Sequence, residues 1–377
     1  MRWIEKQRNI LDFTLGSLLR RRGKSLALLI VYSLVIFMLA SVIFFTHAIK
    51  KEAAVVLEGA PEMIVQRLIA GRHDLIPKSY ADTIREIKGV YAVNGRLWGY
   101  YYDPTNGANY TLMVDSDLND TAGSIVIGKG VARNLPGDNY GAIPLKASDG
   151  SYLFLKVGGI LPAESELVSA DLILMSEKDF RRMFGIPDEY VTDITLQVRN
   201  PKEYTTVATK ISQLLPDSRP ILKEEILRTY DAVFDWRAGI LIVILLGSIL
   251  AFLILAWDRS AGLSVEEKHE TGILKALGWE TSDILLMKFW EGVAISLTSF
   301  LVGILAAYVH VFFFASGLFE PVLKGWSVLY PEFRLTPFID GYQVATLFLL
   351  TVVPFTIATI IPAWRTATID PDTMMRT

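Results

Sequence analysis

Apolar residues along this chain follow two regimes. In four places they run on without interruption, and between the first two of those places they alternate with polar residues. Residues 26–45 (LALLIVYSLVIFMLASVIFF) and 238–257 (AGILIVILLGSILAFLILAW) hold no charge. Each matches the roughly 20 residues needed to cross a hydrocarbon core about 30 Å thick. Residues 292–319 and 341–364 are similar. The pattern predicts four transmembrane helices, at 26–47, 237–257, 291–319 and 341–362. A cleaved leader competes for the first run, but leader apolar regions span about 7 to 15 residues and stop at a small-residue cleavage site. This run is longer and continues into FFTHAIKKEAAVV, so it is expected to persist as an anchor.

Residues 48–236 alternate instead. Strand-like runs occur at 62–68, 90–102, 152–161 and 192–198, and helical spacing at 79–87, 176–185 and 203–215, the second opening on a Ser176 cap. Ser148, Asp149 and Gly150 read as a hairpin turn, and the aromatic run 97–103 (LWGYYYD) is expected as strand core. The predicted architecture is a membrane protein of four transmembrane α-helices, with a large α+β extracytoplasmic domain inserted between helices 1 and 2. Ahead of the first span, Trp3, Ile4, Ile10, Leu11, Leu15 and Leu18 share one arc at helical spacing, opposite Glu5, Arg8, Asn9 and Asp12. Residues 1–25 are therefore expected to form an amphipathic helix on the membrane surface.

Charge sets the orientation. The first 25 residues carry Arg2, Lys6, Arg8, Arg20, Arg21, Arg22 and Lys24 against Glu5 and Asp12, which places the N-terminus in the cytoplasm. Four spans then put 258–290 and the tail 363–377 on the same side, with 48–236 and the loop 320–340 outside. The exterior segment holds 21 Lys and Arg against 26 Asp and Glu, so it offers no basic footprint for nucleic acid. The absence of cysteine excludes disulfides and thiolate metal sites.

Motifs for chemistry are poor. Residues 123–130 (GSIVIGKG) approach a phosphate loop, but Gly130 brings no hydroxyl for Mg²⁺ and SIVI is an apolar strand. Asp115, Asp117 and Asn119 start like a calcium loop, yet Asp120 and Val126 stand where a Gly and a bidentate Glu are needed. His47, His73, His269 and His310 are scattered. No catalytic, cofactor-binding or metal residue is assigned. In the third span Gly292, Ser296, Ser299, Gly303 and Ala307 form a small-residue stripe suited to close helix packing. His310 continues that face, and Pro354 interrupts the fourth span.

The charged segment between spans two and three includes EEKHETGILKALGW (266–279), with Ile273, Leu274 and Leu277 clustered on one side of a helix. An apolar ridge flanked by charge suits docking into a groove on a partner, and a solvated connecting helix explains the spacing equally well. The run SVEEKHETGILKALGWETSDIL resembles the corresponding segment of FtsX-like ABC transporter permeases, a mechanotransmission (type VII) family with MacB-like, LolC/LolE-like and FtsX members. Glu266, Glu270, Gly272, Leu274, Lys275, Ala276, Leu277 and Gly278 fill the positions of its E-x-x-x-E-[IT]-G-[IL]-L-[RK]-A-[LI]-G pattern. Residues 18–32 (LLRRRGKSLALLIVY), 126–138 and 361–376 (IPAWRTATIDPDTMMR) are similar to further segments of that family.

The resemblance implies the permease subunit of a bacterial inner-membrane ABC transporter, with both termini cytoplasmic, that passes ATPase-driven movement to its exterior domain in order to export or extract a substrate. It implies a separate ATPase subunit that binds ATP and Mg, so no enzymatic activity or cofactor is expected in this chain. A second permease copy or paralogue and an extracytoplasmic adaptor or substrate protein are further implied partners. It also assigns ATPase coupling to Glu266, Glu270, Gly272, Ile273, Leu274, Lys275, Leu277 and Gly278. The alternative within the same family is a non-transporting regulator of an exterior enzyme such as a cell-wall hydrolase.

Overall fold

A computed structural model describes residues 2–135, 141–161, 166, 169–261, 265–318, 328–329 and 335–368. The chain divides into two compact units, Met1–Ala48 with Asp235–Glu320 and Thr336–Thr377, and Ile49–Phe234 with Pro321–Leu335. Two helices open it, α1 (Arg2–Arg20) and α2 (Arg22–Val56). Then come β1 (Met63–Ile69), β2 (Arg72–Asp74), β3 (Ile76–Pro77), α3 (Ser79–Arg85), β4 (Val90–Arg96), β5 (Trp98–Asp103), β6 (Ala108–Val114), β7 (Ser124–Ile127) and α4 (Lys129–Asn134). They are followed by β8 (Ala142–Lys146), β9 (Tyr152–Ile160), β10 (Leu172–Met175), α5 (Glu177–Phe184), β11 (Tyr190–Val191), β12 (Asp193–Val198), α6 (Tyr204–Leu214) and β13 (Ser218–Leu222). The chain ends on α7 (Lys223–Ala261), α8 (Val265–Ala276), α9 (Thr281–Phe312) and α10 (Gly341–Ala367).

The second unit is α+β and holds two principal sheets. One orders β13-β1-β12-β4, with β2 on β1, and is antiparallel; the other orders β5-β6-β10-β7-β9-β8 and is mixed. The run 90–102, expected as one strand, is two. It breaks at Leu97, where Arg96 closes β4 in the first sheet and Trp98 opens β5 in the second. Asp193 stabilises that break. Fully buried, it accepts hydrogen bonds from Arg96 Nε at 2.9 Å, Arg96 Nη2 at 2.7 Å and the Trp98 indole N–H at 2.7 Å.

The second sheet curls until its opposite edges approach, the Lys146 backbone N–H donating to the Tyr101 hydroxyl at 3.1 Å. Only Tyr101 of the aromatic run turns toward that closure. Tyr100 and Tyr102 alternate to the outside and are 69% and 58% exposed, so the expectation of strand core fails for them. Inside the curl, Leu112, Ile125, Ile127, Ile173 and Phe180 form part of one continuous core. Helix α5 starts as expected, the Ser176 hydroxyl accepting the Asp179 N–H, and ends on Gly185 in the left-handed region at φ 67°. The phosphate-loop lookalike is β7 running through Gly128 into α4. A Cβ on Gly128 would collide with the Ser169 carbonyl oxygen, and one on Gly130 would stand 2.6 Å from that of Ala170, so these glycines serve close backbone approach.

Arg67 Nε donates to the Asp217 carboxylate at 2.7 Å, and the Tyr80 hydroxyl adds a bond at 3.1 Å. The Arg67 guanidinium, with help from that hydroxyl, holds the Asp217 carboxyl below the usual carboxylate range. A carboxylate depressed on folding contributes stability that is present above its unfolded pKa of about 3.9 and lost as pH falls through the folded value. Asp217→Asn is therefore expected to lower the denaturation midpoint of the full chain at pH 6. The difference from wild type should shrink as pH falls through the depressed folded value; a difference that persists in still stronger acid would assign the effect to packing.

In the first unit, α2, α9 and α10 contain stretches long and apolar enough to cross a membrane, Arg22–Val55, Thr281–Phe312 and Gly341–Trp364. The remaining expected span lies inside α7, whose apolar stretch among the described residues is the shorter Gly239–Ile254. Tyr32 of α2 joins these helices. Its ring stacks on Phe252 of α7 at 4.6 Å and on Phe355 of α10 at 4.9 Å, and its hydroxyl donates to the Thr351 carbonyl at 2.7 Å. The third span, expected to reach 319, stops at Phe312: Ala315 and Ser316 take positive φ of 48° and 55°, and the Ser316 N–H turns back to the His310 carbonyl at 3.0 Å. Pro354 and Pro362 both lie within α10.

Candidate functional site

The charged segment between the second and third apolar runs folds into a sharp corner, α8 followed by α9. Gly278 makes the corner at φ 96°, in the left-handed region that favours glycine, and the Trp279 N–H reaches back to the Leu274 carbonyl at 3.0 Å. Glu280 then caps α9, with Asp283 returning the bond in a capping box. Sequence alone explains this turn: a Gly ends one helix, and an acid three residues before another acid starts the next.

The periodicity misjudged which face of α8 is open. Ile273 and Leu277 are 44% and 74% exposed, whereas Leu274 is 6% exposed and packs with Ile10 of α1 and Met287 of α9. The ridge expected from Ile273, Leu274 and Leu277 is thus divided, because α1 occupies the side on which Leu274 lies. Gly272 is buried, Lys275 half-buried and Gly278 exposed; the Glu266 side chain lies outside the described residues, as do 369–376 of the C-terminal motif.

Helix α1 is tied along its length to this corner. Lys6 pairs with Asp283 at 2.6 Å, the Trp290 indole N–H donates to Gln7 Oε1 at 3.0 Å, and the Phe13 ring lies 5.3 Å from that of Trp279. Its hydrogen bond to Asp283 pushes the Lys6 ammonium above its ordinary value. At the other end Glu270 of α8 accepts from Arg21 and pairs with Arg20 at 3.5 Å. The arc expected to lie on a membrane is therefore split: Ile10 faces the protein, and Trp3, Ile4 and Leu15 remain exposed.

The small-residue stripe of α9 is buried at Gly292, Ser296, Ser299, Gly303 and Ala307. It serves two neighbours. A Cβ on Gly303 would stand 2.8 Å from Ile36 Cβ and 3.0 Å from the Ser33 carbonyl of α2, whereas one on Gly292 would meet Thr359 Oγ1 of α10 at 2.6 Å. The Ser299 hydroxyl donates to the Leu29 carbonyl at 3.3 Å. His310 sits at the same α2 interface, its Nδ1 3.2 Å from Ser41 Oγ, and its Nε2 accepts the Leu318 N–H at 3.3 Å. With Nε2 accepting, a neutral ring carries its proton on Nδ1, toward Ser41.

In the α+β unit a cleft is lined by Lys78, Asp82, Arg85, Arg96, Ser116 and Glu177 among others. Its charges pair with each other or with Asp193: Arg85–Asp82 at 2.7 Å, Lys78–Glu177 at 3.8 Å and Arg96–Asp193 at 2.7 Å. Among the described residues no group of three His, Asp or Glu is placed to hold a metal.

The model of the family described as FtsX-like permease C-terminal matches residues 238–371. No curated protein matches the chain. Among solved structures, it is similar to the extracellular domain of the noncanonic ABC-type transporter YknZ from Gram-positive bacteria, at 13% identity and a TM-score of 0.30, covering 42% of this chain and 98% of that one. It is similar also to the periplasmic region of MacB from Actinobacillus actinomycetemcomitans, at 11% identity and a TM-score of 0.33, covering 45% and 92%.

Proposed function

We propose, from the premise that residues 238–371 are an FtsX-like permease C-terminal domain, that this chain is the transmembrane subunit of a bacterial ABC transporter. In this reading α2, α7, α9 and α10 cross the inner membrane with both termini in the cytoplasm. The α+β unit lies outside. A separate ATPase subunit docks on α8, a second permease copy or paralogue completes the membrane part, and ATPase closure moves the exterior unit to export or extract its substrate.

The observation that carries the reading is the α8–α9 corner inside the matched domain. It presents two large exposed apolar side chains, Ile273 in α8 and Leu277 just past its end, in a charge-rich segment set between apolar helices. Each would contribute about 1.5–3 kcal/mol if covered by a partner. Ile273→Asp with Leu277→Asp is expected to lower co-purification of the ATPase with the full chain by about tenfold or more, since about 1.4 kcal/mol is tenfold. An ATPase retained at wild-type level and still coupled would remove α8 from the docking surface.

The regulatory reading keeps the same machinery and changes what the exterior unit acts upon. It is favoured by Tyr100, Tyr102, Tyr152 and Phe154, all strongly exposed on β5 and β9 beside the seam of the curled sheet. Exposed aromatics of this kind suit a protein partner. Capture on the full chain in detergent separates the readings: a stoichiometric exterior protein supports regulation, and a co-purifying lipid, lipoprotein or small molecule supports transport or extraction.

A further inference from the structure

We infer that Glu270 is a positioning residue rather than a docking contact: through Arg21 it ties α8 to the joint between α1 and α2, so that movement of α8 is delivered to the root of the first apolar helix. The inference rests on the reading that α8 receives an ATPase.

Arg21 is the single residue between α1 and α2. Its N–H donates to the Ser17 carbonyl at 3.2 Å and its carbonyl accepts the Ser25 N–H at 3.1 Å, so its backbone belongs to the hydrogen-bond ladders of both helices. A force on its guanidinium is felt by both. The Arg21 and Glu270 side chains are 25% and 31% exposed, which spares the pair much of the solvent screening that weakens surface ion pairs. Arg20 adds a second cation at 3.5 Å from Glu270 and lies 5.7 Å over the Phe13 ring, which holds it beside the pair.

The other ties of α1 reach different places. Ile10 meets Leu274 in the last turn of α8, Phe13 meets Trp279 at the corner, and Lys6 and Gln7 meet Asp283 and Trp290 on α9. These fix α1 to the corner whether or not Glu270 is charged. Earlier in α8, the clasp described is the one at Glu270. Two stretches distant in sequence, the basic RRR at the joint of α1 and α2 and the third Glu of EEKHE, therefore meet as one device. Docking falls to Ile273 and Leu277, and transmission falls to Glu270 with Arg21.

A helix that binds one ATPase state better than another shifts a two-state permease only by that difference, and only if the helix is mechanically joined to what moves. Loss of the clasp should separate binding from coupling. Glu270→Gln in the full chain, co-expressed with its ATPase and reconstituted in vesicles, is expected to retain the ATPase within about twofold of wild type. Stimulation of ATP hydrolysis by the permease should fall by about tenfold, within the usual range of coupling between sites. Glu270→Arg should do the same, and combining it with Arg20→Gln and Arg21→Glu should restore stimulation, a rescue that generic misfolding cannot give.

Stimulation unchanged in Glu270→Gln overturns the inference. So does loss of the ATPase itself, which would make Glu270 a docking contact. If the wild-type chain recruits no ATPase, the docking reading has failed instead. The clasp is then judged by a second measurement: the chain has no cysteine, so Arg21→Cys with Glu270→Cys in native membranes should be joined by a short bis-methanethiosulfonate linker. Absence of that cross-link also overturns the inference.

Discussion

Asp193→Ala is expected to destabilise the α+β unit by about 3 kcal/mol or more, the range found when one partner of a buried ion pair is removed. Three donors converge on this carboxylate, two from Arg96 and one from the Trp98 indole, and the side chain is fully buried. Alanine would leave all three without an acceptor at the point where β4 gives way to β5, so the junction of the two sheets is what loosens. The partly exposed Arg96 recovers some solvation, which keeps the cost toward the lower end of the range. The check is the denaturant midpoint of the full chain in detergent. Asp193→Asn, which keeps an acceptor oxygen but loses the charge, should fall between alanine and wild type. Arg85→Ala, which breaks the exposed Arg85–Asp82 pair, should change the stability by less than about 0.5 kcal/mol. Equal effects from Asp193→Ala and Arg85→Ala would refute the role given to Asp193.

Asp193 also marks where pattern reading ran out. Along β12 the apolar residues Ile194, Leu196 and Val198 alternate inward, which puts Asp193 on the outward set with Thr195 and Gln197. It is buried because a second sheet begins beside it, a fact set by the break at Leu97 that the single strand-like run 90–102 conceals. The short strands β6, β8 and β10 were not singled out for a related reason, whereas β7 was read as the apolar strand SIVI. Four to seven residues carry little periodicity by themselves, and β10 pairs with β6 and β7, both far from it in sequence.

The long apolar runs were legible because length alone distinguishes them; the α8–α9 corner was not read, although its glycine and acidic cap are local signals. The division of labour within the motif was not legible. Leu274, Ile273 and Leu277 look alike by spacing, and only the docking of α1 separates the buried residue from the exposed ones. Glu270 reads as a surface charge until Arg20 and Arg21 are brought to it from the start of the chain. Both corrections come from α1, whose amphipathic arc was visible and whose partner was not.

Gly303→Leu is expected to abolish the folded helical unit rather than weaken it. The obstacle is Ile36 Cβ at 2.8 Å and the Ser33 carbonyl at 3.0 Å, atoms fixed to the backbone of α2 that no side-chain rotation can clear. Inserting a branched side chain there forces α2 from α9, and overpacking of a close interface costs about 1–3 kcal/mol before neighbouring contacts are lost. Those neighbours are the Ser299 bond to Leu29 and the His310 contact with Ser41, so separation at Gly303 strips both. The measurement is the yield of monodisperse, protease-resistant full chain from membranes. Gly292→Ala should be tolerated, because the atom in its way is the tip of the Thr359 side chain, which can turn aside. Gly247→Leu in α7, where nothing lies within 4 Å, should fold as wild type. If all three behave alike, small residues in these helices act through composition and not through the close approach of α9 to α2; if they separate in this order, the stripe is a packing surface whose tolerance is set by what each glycine faces.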